Sequence, residues 1–202
     1  MAITQTGPLT RDTSTIALGL ARILVGNASD NADSDTQVLD RTNDSLGSLS
    51  STSFSSSVEY WRHESGFPML EDLVVPLRES ASLECEIEEI SAQNLAIARG
   101  IDASSGSEFG SHSGEISLGT IEQPDYVRME AIYTYPDKEN EMVIIFPRAQ
   151  VTSSMDLSLA AEDNATVPIT FESKIATNDV WSGEVTAWDA KPLGNIIFQS
   201  TA

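Results

Sequence analysis

The chain has 202 residues, 40% of them hydrophobic, enough for one domain with a sizeable core, and no apolar run approaches the ~18 residues of a membrane-spanning helix. Its 31 acidic residues against 11 basic ones give a net charge of −20. A surface of that sign repels phosphates and anionic membranes, which argues against a sequence-reading DNA binder. One cysteine, Cys85, excludes an intramolecular disulfide and a cysteine-rich metal site.

In chain order, residues 1–14 read as a polar N-terminal arm, with no basic start of the kind that opens a secretory leader. The second half of Ile16–Gly26 reads as a strand. Residues 27–57 are rich in Ser, Asp, Asn and Thr and read as a long polar loop. Val58–Glu64 predicts a strand, Gly66–Pro68 a turn, and Leu73–Leu77 and Ala81–Glu88 two further strands. In the last of these Leu83, Cys85 and Ile87 alternate with Glu84, Glu86 and Glu88. Burying an unpaired carboxylate is costly, so the three glutamates face outward. Ser91 caps a predicted helix over Ala92–Arg99 that Gly100 closes, with Ile90, Asn94, Ile97 and Ile101 near one stripe. Asp102–Gly119 is a Gly/Ser-rich loop without the Gly-Lys-Ser/Thr ending of a phosphate loop.

The clearest ladder runs from Tyr126 to Lys174. Val127, Met129, Ala131, Tyr133 and Tyr135 fall on one face of a strand; Arg128, Glu130 and Thr134 fall on the other, toward water. Met142–Phe146 is apolar on both faces and predicts a strand covered on both sides, ended or bulged by Pro147. Met155, Leu157 and Leu159 suggest another strand, and Asp163-Asn164 a turn. Val167, Ile169 and Phe171 alternate in the next strand. Val180-Trp181, Val185–Trp188 and Asn195–Phe198 suggest one or two closing strands. The expectation is a single all-β domain with one short helix, most simply a sandwich of two packed sheets.

The residues offer little chemistry. His63 and His112 stand in no metal-ligand spacing, and no Gly-x-Ser-x-Gly, His-Glu-x-x-His or Cys-His pattern occurs. The carboxylates lack an aromatic-rich cleft, as aromatics make up 6% of the chain. Asp30, Asn31, Asp33 and Asp35 suggest a calcium loop only faintly, because the required glycine is missing. No enzyme activity and no cofactor is expected. A carbohydrate- or calcium-binding β-sandwich module, or another virion subunit such as a head decoration or baseplate protein, stays open as an alternative.

Two stretches carry a resemblance. Ile144-Ile-Phe-Pro-Arg-Ala-Gln-Val151 followed by Thr166-Val-Pro-Ile-Thr-Phe-Glu172, and upstream Ser45-Leu-Gly47, Phe54 and Glu88–Leu95 with Gly100, are similar to phage major tail tube proteins, whose fold tubes of contractile injection machines share. That resemblance implies hexameric rings, whose strands join across subunits in a barrel and which stack into a virion tail tube. It also implies assembly in the host cytoplasm and partners among copies of the chain and other tail proteins: tape measure, terminator, and baseplate or sheath. DNA would pass through without specific binding, and no membrane is involved. In that frame Glu84, Glu86 and Glu88 are candidates to line an acidic lumen; an outer wall would suit the same alternation. Asp30, Asp33, Asp35 and Asp40 become candidates for a ring-stacking loop.

Overall fold

In the computed structural model, which describes residues 19, 21–29, 31–100, 123–136, 138–157, 164–181 and 185–200, the alternating ladder becomes β4 (Val127–Thr134). In chain order the other elements are β1 (Arg22–Asn27), β2 (Leu49–Ser65), β3 (Leu70–Ile87), α1 (Ala92–Ala98), β5 (Asn140–Val151), β6 (Val167–Ser173) and β7 (Asn195–Ser200). The N-terminal arm, Asp30, Ile101, the Asp102–Gly119 loop with His112, Leu159 and Asp163 lie outside the described residues.

All described pairings are antiparallel and join the strands into one sheet, ordered β1-β4-β5-β6-β3-β2. β5 is its pivot. Glu141–Ala149 lie along β4, while its other edge is divided: Asn140–Ile145 pair with β7 and Ala149–Val151 with β6. The register slips by one residue between Met129↔Phe146 and Val127↔Ala149. That bulge accommodates Pro147, which has no N–H to give a ladder.

Both faces of this sheet are covered. On one face Ile23, Val25, Leu83, Cys85, Ile87, Met129, Phe146, Ile169 and Phe171 form a core closed by Ile97 and Ala98 of α1. Ser91 accepts from Asn94 N to cap that helix, as its sequence predicts. The buried Asn94 side chain donates to Leu46 O and Glu89 O, which fastens the helix to the preceding loop. On the opposite face Leu24, Ile132, Val143 and Ile145 pack against Leu39, Val185 and Trp188. This second cover is irregular chain, not a second sheet. The expected pair of sheets is therefore replaced by one curled sheet with loops on its outer side.

The curl brings β2 opposite β5, with the rings of Phe54 and Phe146 6.3 Å apart. No ladder joins β1 to β2, so the sheet does not close into a barrel within the chain. The outer edge of β1 is already occupied: Val25 N donates to Asp44 O and Leu46 N to Ile23 O. Among the described residues the outer edge of β2 carries no such cover.

Several expected strands differ. Leu73–Leu77 and Ala81–Glu88 merge into the single β3, which a register shift opposite Glu59 and Tyr60 carries past Pro76. Met155 and Leu157 lie outside any strand, because Ser153 Oγ takes Thr170 N and ends the ladder there. Among the described residues at the C-terminal end, only Asn195–Ser200 form a strand. Asn178–Val180 forms a 3-10 turn, and residues 187–190 turn where the sequence suggested extension.

Candidate functional site

β2 and β3 are far longer than the sheet they belong to. Only Ser82–Ile87 of β3 meet β6; from Ser56 and Ala81 outward the two strands pair with each other alone. Ten residues at about 3.3 Å each make this an arm of roughly 30 Å. Eleven of the eighteen exposed large hydrophobic residues sit on β2, β3 and the turn between them, with Phe67 at the tip fully exposed. Leu73, Val74 and Val75 are consecutive and all exposed. Successive strand residues point to opposite faces, so both faces of the arm are apolar. A lone two-stranded hairpin is marginal in water, and contiguous exposed apolar surface marks an interaction site.

The arm is braced by polar cross-strand contacts. Arg62 Nη1 lies 2.8 Å from Glu71 Oε2, and His63 Nδ1 2.7 Å from Asp72 Oδ1. The Ser65 hydroxyl donates to Asp72 Oδ2 at 2.6 Å. That hydroxyl, and then His63, hold the Asp72 carboxyl below its usual range. The hydroxyl of Ser65 bonds the aspartate and not the imidazole, so the trio lacks the serine-to-histidine contact of a nucleophilic triad.

Of the candidate lumen residues, Glu84 and Glu86 are exposed on the outward face and Glu88 is half-buried just beyond β3. Ser50 Oγ on β2 donates to Glu86, and Ser48 Oγ just before β2 donates to Glu88. Cys85, between them, faces the core, and burial pushes its thiol up to about 12.

The polar segment expected at 27–57 divides in two: residues 49–57 belong to β2, and residues 31–46 are pinned over the sheet. Asp33 Oδ1 accepts from Thr186 N and Ala187 N, and Asp35 pairs with Lys191 Nζ at 2.7 Å. Asp40 accepts from Thr42 N and Asn43 N, each at 2.8 Å, and those bonds lower its pKa. Asp33, Asp35 and Asp40 are thus engaged within their own chain. No cluster of three or more metal-ligating side chains occurs among the described residues.

The pin beneath this loop corrects the sequence reading of β4. Arg128 and Glu130, expected to face water, are completely buried; Thr134 alone of the three is exposed. Arg128 Nε donates to Glu130 Oε1 at 2.8 Å, and its two terminal nitrogens donate to Asn31 O, Ser34 O and Thr36 O. Glu130 in turn accepts from Val38 N and Leu39 N. Trp188 lies beside this group, its Nε1 donating to Ala32 O, with Arg128 5.9 Å and Lys191 5.4 Å from its ring centroid. The signal for this hub was present: two opposite charges on one strand face, next to a segment rich in backbone groups needing partners.

A second clamp joins Arg41 to Glu141 through two 2.8 Å bonds. The Glu141 carboxylate is 2% exposed, and the Arg41 bond is the main cause holding its pKa below the usual 4.5. A depressed carboxylate pKa adds stability above its unfolded value, which is lost as pH falls through the folded one. The parent should therefore lose stability on acidification below about pH 4.5 more steeply than Glu141→Gln. Urea midpoints measured between pH 6 and 3 check this; parallel curves would remove the clamp's role.

No protein-family model and no curated protein matches the chain. Among solved structures it is similar to a chain of the anti-feeding prophage cap, which terminates the tube, at 13% identity and TM-score 0.45, with 100% of each chain covered. It is also similar to a chain of the PVC sheath-tube complex of an extracellular contractile injection system (13% identity, TM-score 0.43), covering 90% of this chain and 89% of that one. A third is a chain of the native gene transfer agent virion (16% identity, TM-score 0.38), covering 75% of this chain and 90% of that one. TM-scores below 0.5 do not establish a shared fold, so the functional reading rests on the arm, the open edge and the charge pattern.

Proposed function

We propose that the chain is a structural subunit that assembles with its own copies into rings stacked as a tail tube. The arm carries this reading. A hairpin about 30 Å long, apolar on both faces and paired with no other strand among the described residues, gains most from burial on a neighbour. The open edge of β2 offers a second route, since pairing it with a neighbour's strand other than β1 would continue the curled sheet toward the barrel that the sequence resemblance implies.

In the finer reading the rings are hexameric, and Glu84, Glu86 and Glu88 line a bore through which DNA passes during ejection. Phosphate contacts dominate DNA affinity, so a carboxylate-lined wall keeps the duplex from sticking. The other tail proteins that the resemblance implies, at the two tube ends and around the tube, would complete the particle.

Electron microscopy of the purified chain tests the assembly: stacked rings or tubes are expected, and a protein that stays monomeric across concentration and salt overturns it. The triple variant E84K/E86K/E88K tests the bore. Its tubes should retain duplex DNA in a salt-sensitive way that parent tubes do not, with log affinity falling linearly in log salt. Tubes that bind DNA only along their outside would move the acidic row to the outer wall.

A further inference from the structure

On the body, Arg22 of β1 and Arg41 line a mostly polar cleft of about 400 Å³, with Ala21, Gly47, Thr134 and the largely buried Leu49 and Ile132 completing it. Arg41 is held in place by Glu141 yet remains 39% exposed. Arg22 is exposed and is the one basic side chain of the body without a hydrogen bond, ion pair or ring contact among the described residues. An arginine with no partner among the described residues is unusual in a chain with 31 acidic and 11 basic residues.

The arm has the complementary defect. Near its tip Glu64 stands directly opposite Glu71, an unfavourable like-charge pair across the two strands. Arg62 satisfies Glu71 only, which leaves Glu64 with no partner among the described residues. Around this uncompensated carboxylate Phe67, Met69 and Leu70 are exposed. The tip thus presents an acid beside exposed apolar side chains, and the cleft presents an exposed arginine.

Resting on the assembly reading above, we infer that the Arg22–Arg41 cleft of one copy is the socket for the arm tip of the next, with Arg22 pairing with Glu64. The contact joins two different patches of the same chain. Such a head-to-tail interface generates a ring when the rotation closes and a helical filament when it does not.

The test is a charge exchange in the full chain, read by sedimentation and electron microscopy. R22E and E64K each put like charges in the socket contact. Each should raise the concentration needed for assembly by about tenfold or more, as expected for a charge pair that loses solvent on docking. The double variant R22E/E64K restores the pair with reversed polarity and should assemble near the parent concentration. An equimolar mixture of the two single variants should also recover, because every contact in an alternating assembly is then complementary. Circular dichroism of each single variant checks that the body is folded, as expected for exposed positions. If both single variants assemble like the parent, or if neither the double variant nor the mixture recovers, the socket is wrong. The tip variant F67S/M69S separates this from the broader reading. Loss of assembly there, with R22E unaffected, keeps arm-driven assembly and moves the docking place elsewhere. A parent chain that never assembles overturns both.

Discussion

Arg128→Ala should destabilise the folded chain by about 3–5 kcal/mol, the cost of leaving a buried carboxylate without its partner. The substitution strands Glu130 in a site with no solvent exposure and frees the carbonyls of Asn31, Ser34 and Thr36. Urea unfolding followed by tryptophan fluorescence reads the effect, because Trp188 reports directly on the layer that Arg128 holds. Replacing a buried ion pair by apolar residues of similar volume is often neutral elsewhere. Here R128M/E130L should remain well below the parent, since three carbonyls and two N–H groups lose their partners with the pair. Near-parental stability of that double variant would show that the pair, and not the loop it holds, is what matters.

Removing the arm should have the opposite profile: little change in stability and complete loss of assembly. Ser57 and Ser80 face each other with hydroxyls 2.9 Å apart, so residues 58–79 can be replaced by Asn-Gly in a two-residue hairpin turn. The remaining β2 and β3 keep every contact with β6 and the core. Analytical ultracentrifugation should then find a folded monomer at concentrations where the parent forms long assemblies. Assemblies that form normally without the arm would refute its role. Deleting residues 31–46 makes a sharp contrast. That segment supplies Leu39 and Leu46 to the two cores and partners to Arg128, so its loss should unfold the body.

The sequence made the backbone of the sheet legible wherever one face was apolar. β6, the inward face of β4, the Ser91 cap and the bulge at Pro147 all follow from period, cap chemistry and the missing proline N–H. It failed where water was assumed to be the only partner of a charge. Arg128 and Glu130 alternate outward as surface residues do, yet their partners are backbone groups of a segment about ninety positions away. Residues 27–57 read as a polar loop for the same reason: their composition shows polar side chains and hides buried anchors such as Leu39 and Leu46. The arm was visible only in pieces. The sequence reading broke β3 at residues 78–80, and Leu73–Leu77, apolar enough for a core strand, is exposed in the single chain. The candidate socket had no sequence signature, because Arg22, Arg41 and Leu49 meet only through the curl.

The occupied edge of β1 gives the molecule a direction. Sheets with two bare margins can recruit copies from either side and in either order, which is how uncontrolled fibres begin. Asp44 and Leu46 take up the hydrogen-bonding groups of Val25 and Ile23 on one margin, while β2 leaves the other bare. Two such chains cannot meet margin to margin through β1, so that route to sticking is closed while single copies accumulate. If the arm of one copy docks on the body of the next as proposed, growth distinguishes a front from a back, and the polymer has two unlike ends. One end would show arms and the other the surfaces that receive them, so any protein that starts or stops such a polymer would have to be made for one end only.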